Sequence, residues 1–108
     1  DSNIKGASML VPGNVGYAVD IVDISRIYGE IILNTLTEEV GMKNRGVITR
    51  TDQTGFNWSK VPIMTVELGF LSNPDEDRLL SSSDYQTKLA QALHKGIAKC
   101  FSQENASP

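Results

Sequence analysis

Positions 62–66 read Pro-Ile-Met-Thr-Val, a nearly continuous apolar run that stops at a carboxylate, Glu67. A run of this length fits a strand buried on both faces, as in a parallel sheet flanked by helices, and is expected to be the central strand. Shortly after it, Asn73-Pro74-Asp75-Glu76 supplies an N-cap, a proline for the first helical position and two acids that complement the exposed N–H groups of a helix start. Strand, loop and capped helix in that order limit the chain to folds that layer helices on a sheet.

The remaining elements agree with this class. Positions 7–11 form a short apolar run that ends at Pro12-Gly13-Asn14, a strand followed by a turn. Over positions 19–40, Ile21, Ile24, Tyr28, Ile31, Ile32, Leu36 and Val40 recur at helical spacing, and Gly41 suits the left-handed residue that closes a helix. Positions 46–51 are rich in β-branched residues and read as a strand, and positions 52–60 as a loop. A short helix follows Asn73. Ser83-Asp84-Tyr85-Gln86 then has the form of a capping box, opening a helix whose buried stripe is Tyr85, Leu89, Leu93, Ile97 and Cys100 or Phe101. The expected organisation is one α/β domain over 1–101 and a flexible polar tail over 102–108.

The chain has 108 residues, 40% of them hydrophobic, enough for one modest core. A net charge of -3 with scattered Lys and Arg excludes a nucleic-acid surface or an anionic membrane surface as the expected partner. No apolar stretch approaches the roughly 20 residues needed to span a bilayer. The single cysteine cannot form an internal disulfide.

Glu67 is the residue best suited to chemistry. In open α/β sheets, sites form beyond the carboxyl ends of the strands, and Val66, Leu68 and Phe70 would exclude water from this carboxylate, surroundings suited to proton transfer. The structural alternative is an ion pair with Arg45, Arg50 or Lys60 at the domain edge. Other candidates carry less. His94 reads as a helix residue, Cys100 as a small apolar contact, and Asp75, Glu76 and Asp77 as helix capping. Asn44 and Arg45 either line a cleft before Glu67 or fix the start of a strand. Phe56 and Trp58 either stack on a sugar or cover the core.

The run Val61-Pro62-Ile63-Met64-Thr65-Val66-Glu67-Leu68-Gly69-Phe70-Leu71-Ser72-Asn73-Pro74-Asp75-Glu76-Asp77 closely resembles the signature of the zinc-dependent N-acetylmuramoyl-L-alanine amidases, in which V-E-x-G-F-[LM]-[ST]-N carries the catalytic glutamate. The resemblance extends forward through Asp84-Tyr85-Gln86 to Gly96-Ile97, and backward to Lys43-Asn44-Arg45-Gly46-Val47 and Phe56-Asn57-Trp58. It implies the C-terminal part of a three-layer sandwich, a mostly parallel sheet between helices. It also implies a peptidoglycan hydrolase that cleaves the amide between N-acetylmuramic acid and L-alanine, acting outside the cell or in the bacterial cell wall. Glu67 would be the general base and acid, zinc the cofactor, and Asn44, Arg45 and Trp58 substrate contacts.

In one respect the sequence departs from that pattern. The family's metal ligands lie in a G-H-G-type turn, a following glutamate and an S-x-H-x-N strand, and none of these motifs occurs here. The resemblance therefore places the ligands before Asp1, in an N-terminal half that would be this chain's partner, and implies that these 108 residues are inactive alone. The alternative is a non-catalytic module that keeps the amidase fold and binds cell-wall glycopeptide or a regulatory partner.

Overall fold

The computed structural model describes residues 5–69 and 73–106. Three strands, β1 (Ala7–Pro12), β2 (Asn44–Arg50) and β3 (Thr65–Leu68), form one sheet in the order β2-β1-β3. Strand β1 runs parallel to β2 and antiparallel to β3. A 3-10 turn, Gly16–Ile21, leads into α1 (Val22–Val40). The short helix α2 (Thr54–Asn57) interrupts the loop between β2 and β3, and α3 (Pro74–Leu80) and α4 (Ser83–Ala106) follow. The α/β class expected from the sequence is the class observed.

The centre of the sheet is β1, not the apolar run at 62–66. Every residue of β1 is buried, whereas β3 is a four-residue edge strand among the described residues, and Thr65 in it is exposed. Residues 62–64 remain outside the ladder. They are held by the hydroxyl of Ser25 on α1, which accepts the N–H of Ile63 at 3.0 Å. The apolar run therefore divides into a lead-in anchored to α1 and a short strand.

Alternation along β1 sorts its side chains. Ala7, Met9 and Val11 join Ile32, Leu33 and Leu36 of α1 and Leu89, Ala92 and Cys100 of α4 in one core cluster, with Val66 and Leu68 of β3 packed against it. Ser8 and Leu10 of β1, with Thr65 and Glu67 of β3, consequently face the other side of the sheet. Helix α1 lies between the sheet and α4, and Gly41 closes it with φ 69, as its position promised.

Helix α4 turns most of the expected stripe inward, with Tyr85 and Leu93 packed against the core cluster, but not Ile97 or Phe101. Leu89, Ala92, Gly96 and Cys100 are buried, while Ile97 and Phe101 are 46% and 59% exposed. The small residues set the crossing: a Cβ on Gly96 would stand 3.0 Å from the Cα of Ile32, so the helices meet at the glycine and the bulky neighbours rotate outward. Ile97 and Phe101 rim an apolar groove between α4, α1 and residues 62–64.

The caps divide between confirmation and correction. Asn73 caps α3, its Oδ1 accepting the N–H groups of Asp75 at 3.0 Å and Glu76 at 3.2 Å. Replacing this buried cap, Asn73→Ala, is expected to lower stability by about 1 kcal/mol in a urea titration; an unchanged midpoint would show that the acids and Pro74 suffice to start the helix. At α4 the cap is Ser82, whose Oγ accepts the N–H of Tyr85 at 3.4 Å, and Gln86 donates to the carbonyl of Leu80 at 2.7 Å. The reciprocal capping box read at Ser83 and Gln86 does not form: Ser82 supplies the cap, and Gln86 ties α4 to the end of α3. The helix continues to Ala106, through positions read as the start of a tail. No described helix is long and apolar enough to cross a membrane.

Candidate functional site

Glu67 is the third of four residues in β3, directly across from Ser8 in the antiparallel ladder. Facing residues in such a ladder hold their Cβ atoms about 4.5–5.5 Å apart, so the carboxylate rises from the sheet beside the Ser8 hydroxyl. Ser8 is 4% exposed and Glu67 half-buried. The route by which the sequence singled out Glu67 needs correction in two places. Because β3 runs against β1 and β2, its carboxyl end lies beside their amino ends, and the rule placing sites at the carboxyl ends of parallel strands does not apply. Val66 and Leu68 also point to the opposite face, into the core, and do not screen Glu67 from water. Phe70, the third residue expected to do so, lies with Leu71 and Ser72 outside the described residues.

Arg50 is engaged by Asp52 through two hydrogen bonds, Nε to Oδ1 at 2.9 Å and NH2 to Oδ2 at 2.6 Å. The Asp52 carboxylate holds this guanidinium above its ordinary value, and the Glu67 charge adds a smaller part. Reciprocally, the Arg50 hydrogen bond holds the Asp52 carboxyl below its usual range. Among the described residues, no ion pair is formed to Glu67 itself.

The other residues singled out from the sequence separate. Asn44 pairs in register with Ala7, at the Glu67 end of the sheet. Its amide is occupied locally, donating to Asn34 Oδ1 on α1 and accepting the N–H of Gly46, both at 2.8 Å. Arg45 is exposed at the same end, its Cγ 3.1 Å from where a Cβ on Gly6 would stand. Trp58 belongs to the other end, because α2 follows the end of β2, beside Pro12. The pair of loop aromatics splits cleanly: Phe56 is 2% exposed and belongs to the core, and Trp58 is 64% exposed. His94 is exposed on α4, and buried Cys100 joins the core cluster, the apolar contact expected of it, while its thiol also donates to the carbonyl of Tyr28 at 3.7 Å.

One residue near Glu67 escaped the sequence reading. Glu76 reads as a capping acid, yet it is buried, and its Oε1 accepts the N–H of Gly6 at the head of β1. Burial raises the Tyr85 phenol above its ordinary value and the Glu76 charge adds to that. Nothing local distinguishes Glu76 from Asp75 or Asp77; only the packing of α3 against the sheet does.

Among the described residues, no group of three His, Cys, Asp or Glu side chains is placed to hold a metal ion. These residues do not fit a zinc centre.

A family model described as N-acetylmuramoyl-L-alanine amidase matches residues 1–99. The chain belongs to that family. Among its relatives, the germination-specific N-acetylmuramoyl-L-alanine amidase of Bacillus subtilis is 43% identical over 47 residues, covering 44% of the chain and 20% of the relative. The amidase AmiC of Neisseria meningitidis is 35% identical over 78 residues, 69% of the chain and 18% of the relative. In fold it is similar to the CwlD amidase of Clostridioides difficile, solved in complex with the GerS lipoprotein. The TM-score is 0.83 at 31% identity, over 94% of this chain and 49% of that one. The chain thus spans about half of that solved relative and about a fifth of the two curated ones.

Proposed function

We propose that this chain is the glutamate-bearing half of a peptidoglycan amidase domain, and that the completed domain hydrolyses the amide between N-acetylmuramic acid and L-alanine. The observation that carries the reading is Glu67. It lies within a family match that covers nearly the whole chain, on the sheet face away from α1 and α4, and has no ion pair among the described residues. In this reading the carboxylate takes a proton from the attacking water and delivers it to the departing L-alanine nitrogen, so one group serves as base and then as acid. Zinc is inferred from the family alone, and its ligands would belong to the part of the domain that this chain does not span. Arg45 is proposed to contact substrate near Glu67, with Asn44 fixing the strand start beside it; Trp58, at the far end of the sheet, would meet a more distant part of a glycan strand. The substrate places the enzyme outside the cytoplasmic membrane, in the cell wall.

The test uses a polypeptide in which this chain is completed by the other half of the domain, with zinc content measured and purified peptidoglycan as substrate. Release of free L-alanine amino groups is the expected result. A folded, zinc-loaded protein that releases none but still sediments with peptidoglycan would replace the hydrolase by a glycopeptide-binding module.

A further inference from the structure

Acids in the first turn of a helix ordinarily stand in water, as Asp75 and Asp77 do. Glu76 is 6% exposed and turns inward instead. Its Oε1 accepts the Gly6 N–H, the Gly6 carbonyl accepts the Gly69 N–H at 2.8 Å, and the adjoining Ala7 N–H donates to the carbonyl of Lys43 at 2.8 Å. The head of β1 is thereby fastened at once to α3, to the end of β3 and to the chain entering β2. Two glycines make the space. At Gly69, φ is +67 and a Cβ would lie 2.9 Å from Oε2 of Glu76; at Gly6, φ is +112 and a Cβ would lie 2.4 Å from the Lys43 carbonyl. Asn73 Oδ1 also accepts the Glu76 N–H, so the ends of the segment 70–72, Gly69 and Asn73, both converge on this one residue.

A carboxylate in this position is costlier to bury than an apolar side chain of similar size. What it supplies is register. Strand β3 pairs over only four residues, and a slip of one would carry Glu67 to the face under α1 and α4. The Gly6–Gly69 bond closes the ladder two residues beyond Glu67 and blocks that slip. We propose that Glu76 is a positioning residue for Glu67: through Gly6 and Gly69 it fixes the register that keeps the reactive carboxylate beside Ser8. The inference rests on the reading of Glu67 as the proton-transfer group.

The experiment compares Glu76→Ala, Glu76→Asp and Glu76→Gln in the completed, zinc-loaded domain. Steady-state kinetics are read beside zinc content, and amide hydrogen exchange is read at Gly6 and Gly69. Ala removes the acceptor and Asp withdraws it by one methylene, so both are expected to lower kcat about 10- to 100-fold with KM little changed. Gly69 exchange should quicken in both while the amides of α1 and α4 keep their protection. Gln keeps an oxygen for Gly6 and is expected to restore most of kcat. If Ala fails to fold, Asp carries the test. Wild-type kcat in Asp, or equal losses in Gln and Asp with faster exchange throughout the protein, would overturn the proposal. Glu67→Ala measured in parallel separates the two ideas: full turnover in that variant removes the reading of Glu67, and slow Gly69 exchange in Glu76→Asp removes the clamp.

Discussion

Glu67→Gln in the completed domain is expected to lower amide hydrolysis by a factor of the order of 10² to 10⁴, the usual worth of a positioned proton-transfer group. Zinc content and melting temperature should hardly move. The reason lies in what Glu67 does not touch: no ion pair reaches it among the described residues, and its neighbours Val66 and Leu68 pack on the opposite face. Such a replacement away from the core alters stability by about 0.5 kcal/mol or less. A carboxylate that served the fold would behave differently, with melting temperature and activity falling together. Turnover close to wild type would refute the catalytic role outright.

Leu36→Ala should have the largest effect on stability. Leu36 is fully buried on α1, in the cluster that joins β1 to α4. Removing its side chain leaves a cavity walled by three elements that are themselves fixed by pairing and crossing, so the site cannot collapse freely. The expected loss is about 2–5 kcal/mol, from a total that for domains of this kind is about 5–15 kcal/mol. Urea unfolding followed by circular dichroism measures it. Ile97→Ala, on a helix position that periodicity alone would also place in the core, should cost less than about 1 kcal/mol because its side chain is half exposed. Equal losses at the two positions would show that the groove beside Ile97 is closed in solution.

These two residues also show how far the sequence could be read. Elements whose evidence is local were legible: the spacing along α1, Gly41 at its end, and Asn73-Pro74 opening α3 each follow from backbone chemistry within a few residues. The sheet was harder, because strand position is decided by pairing partners far away in the chain. Positions 7–12 contain alanine, serine and proline, poor strand formers, and still occupy the centre; the richer run at 62–66 ends up on an edge, partly unpaired. The direction of β3 was likewise invisible, and with it the reason Glu67 stands at the amino end of β1. In α4 most of the stripe was legible and its later turns were not, since Gly96 rather than Ile97 meets Ile32. Within the candidate site, Glu67 was legible only through a long motif, and Glu76 was concealed among three acids that a helix start would explain equally well.

The sheet order also has a consequence for synthesis. Of the three described strands, the one in the middle is made before the other two, and its second ladder closes only when Leu68 has been added, 68 − 7 = 61 positions after Ala7. At typical translation speeds of 5–20 residues per second that interval is on the order of 3 to 12 s. Helix α1 can cover Met9 and Val11 during the wait, but the edge of β1 reserved for β3 keeps its backbone groups open to any extended segment nearby. That edge of β1 therefore stays open to wrong strand pairing until β3, with Glu67, has emerged.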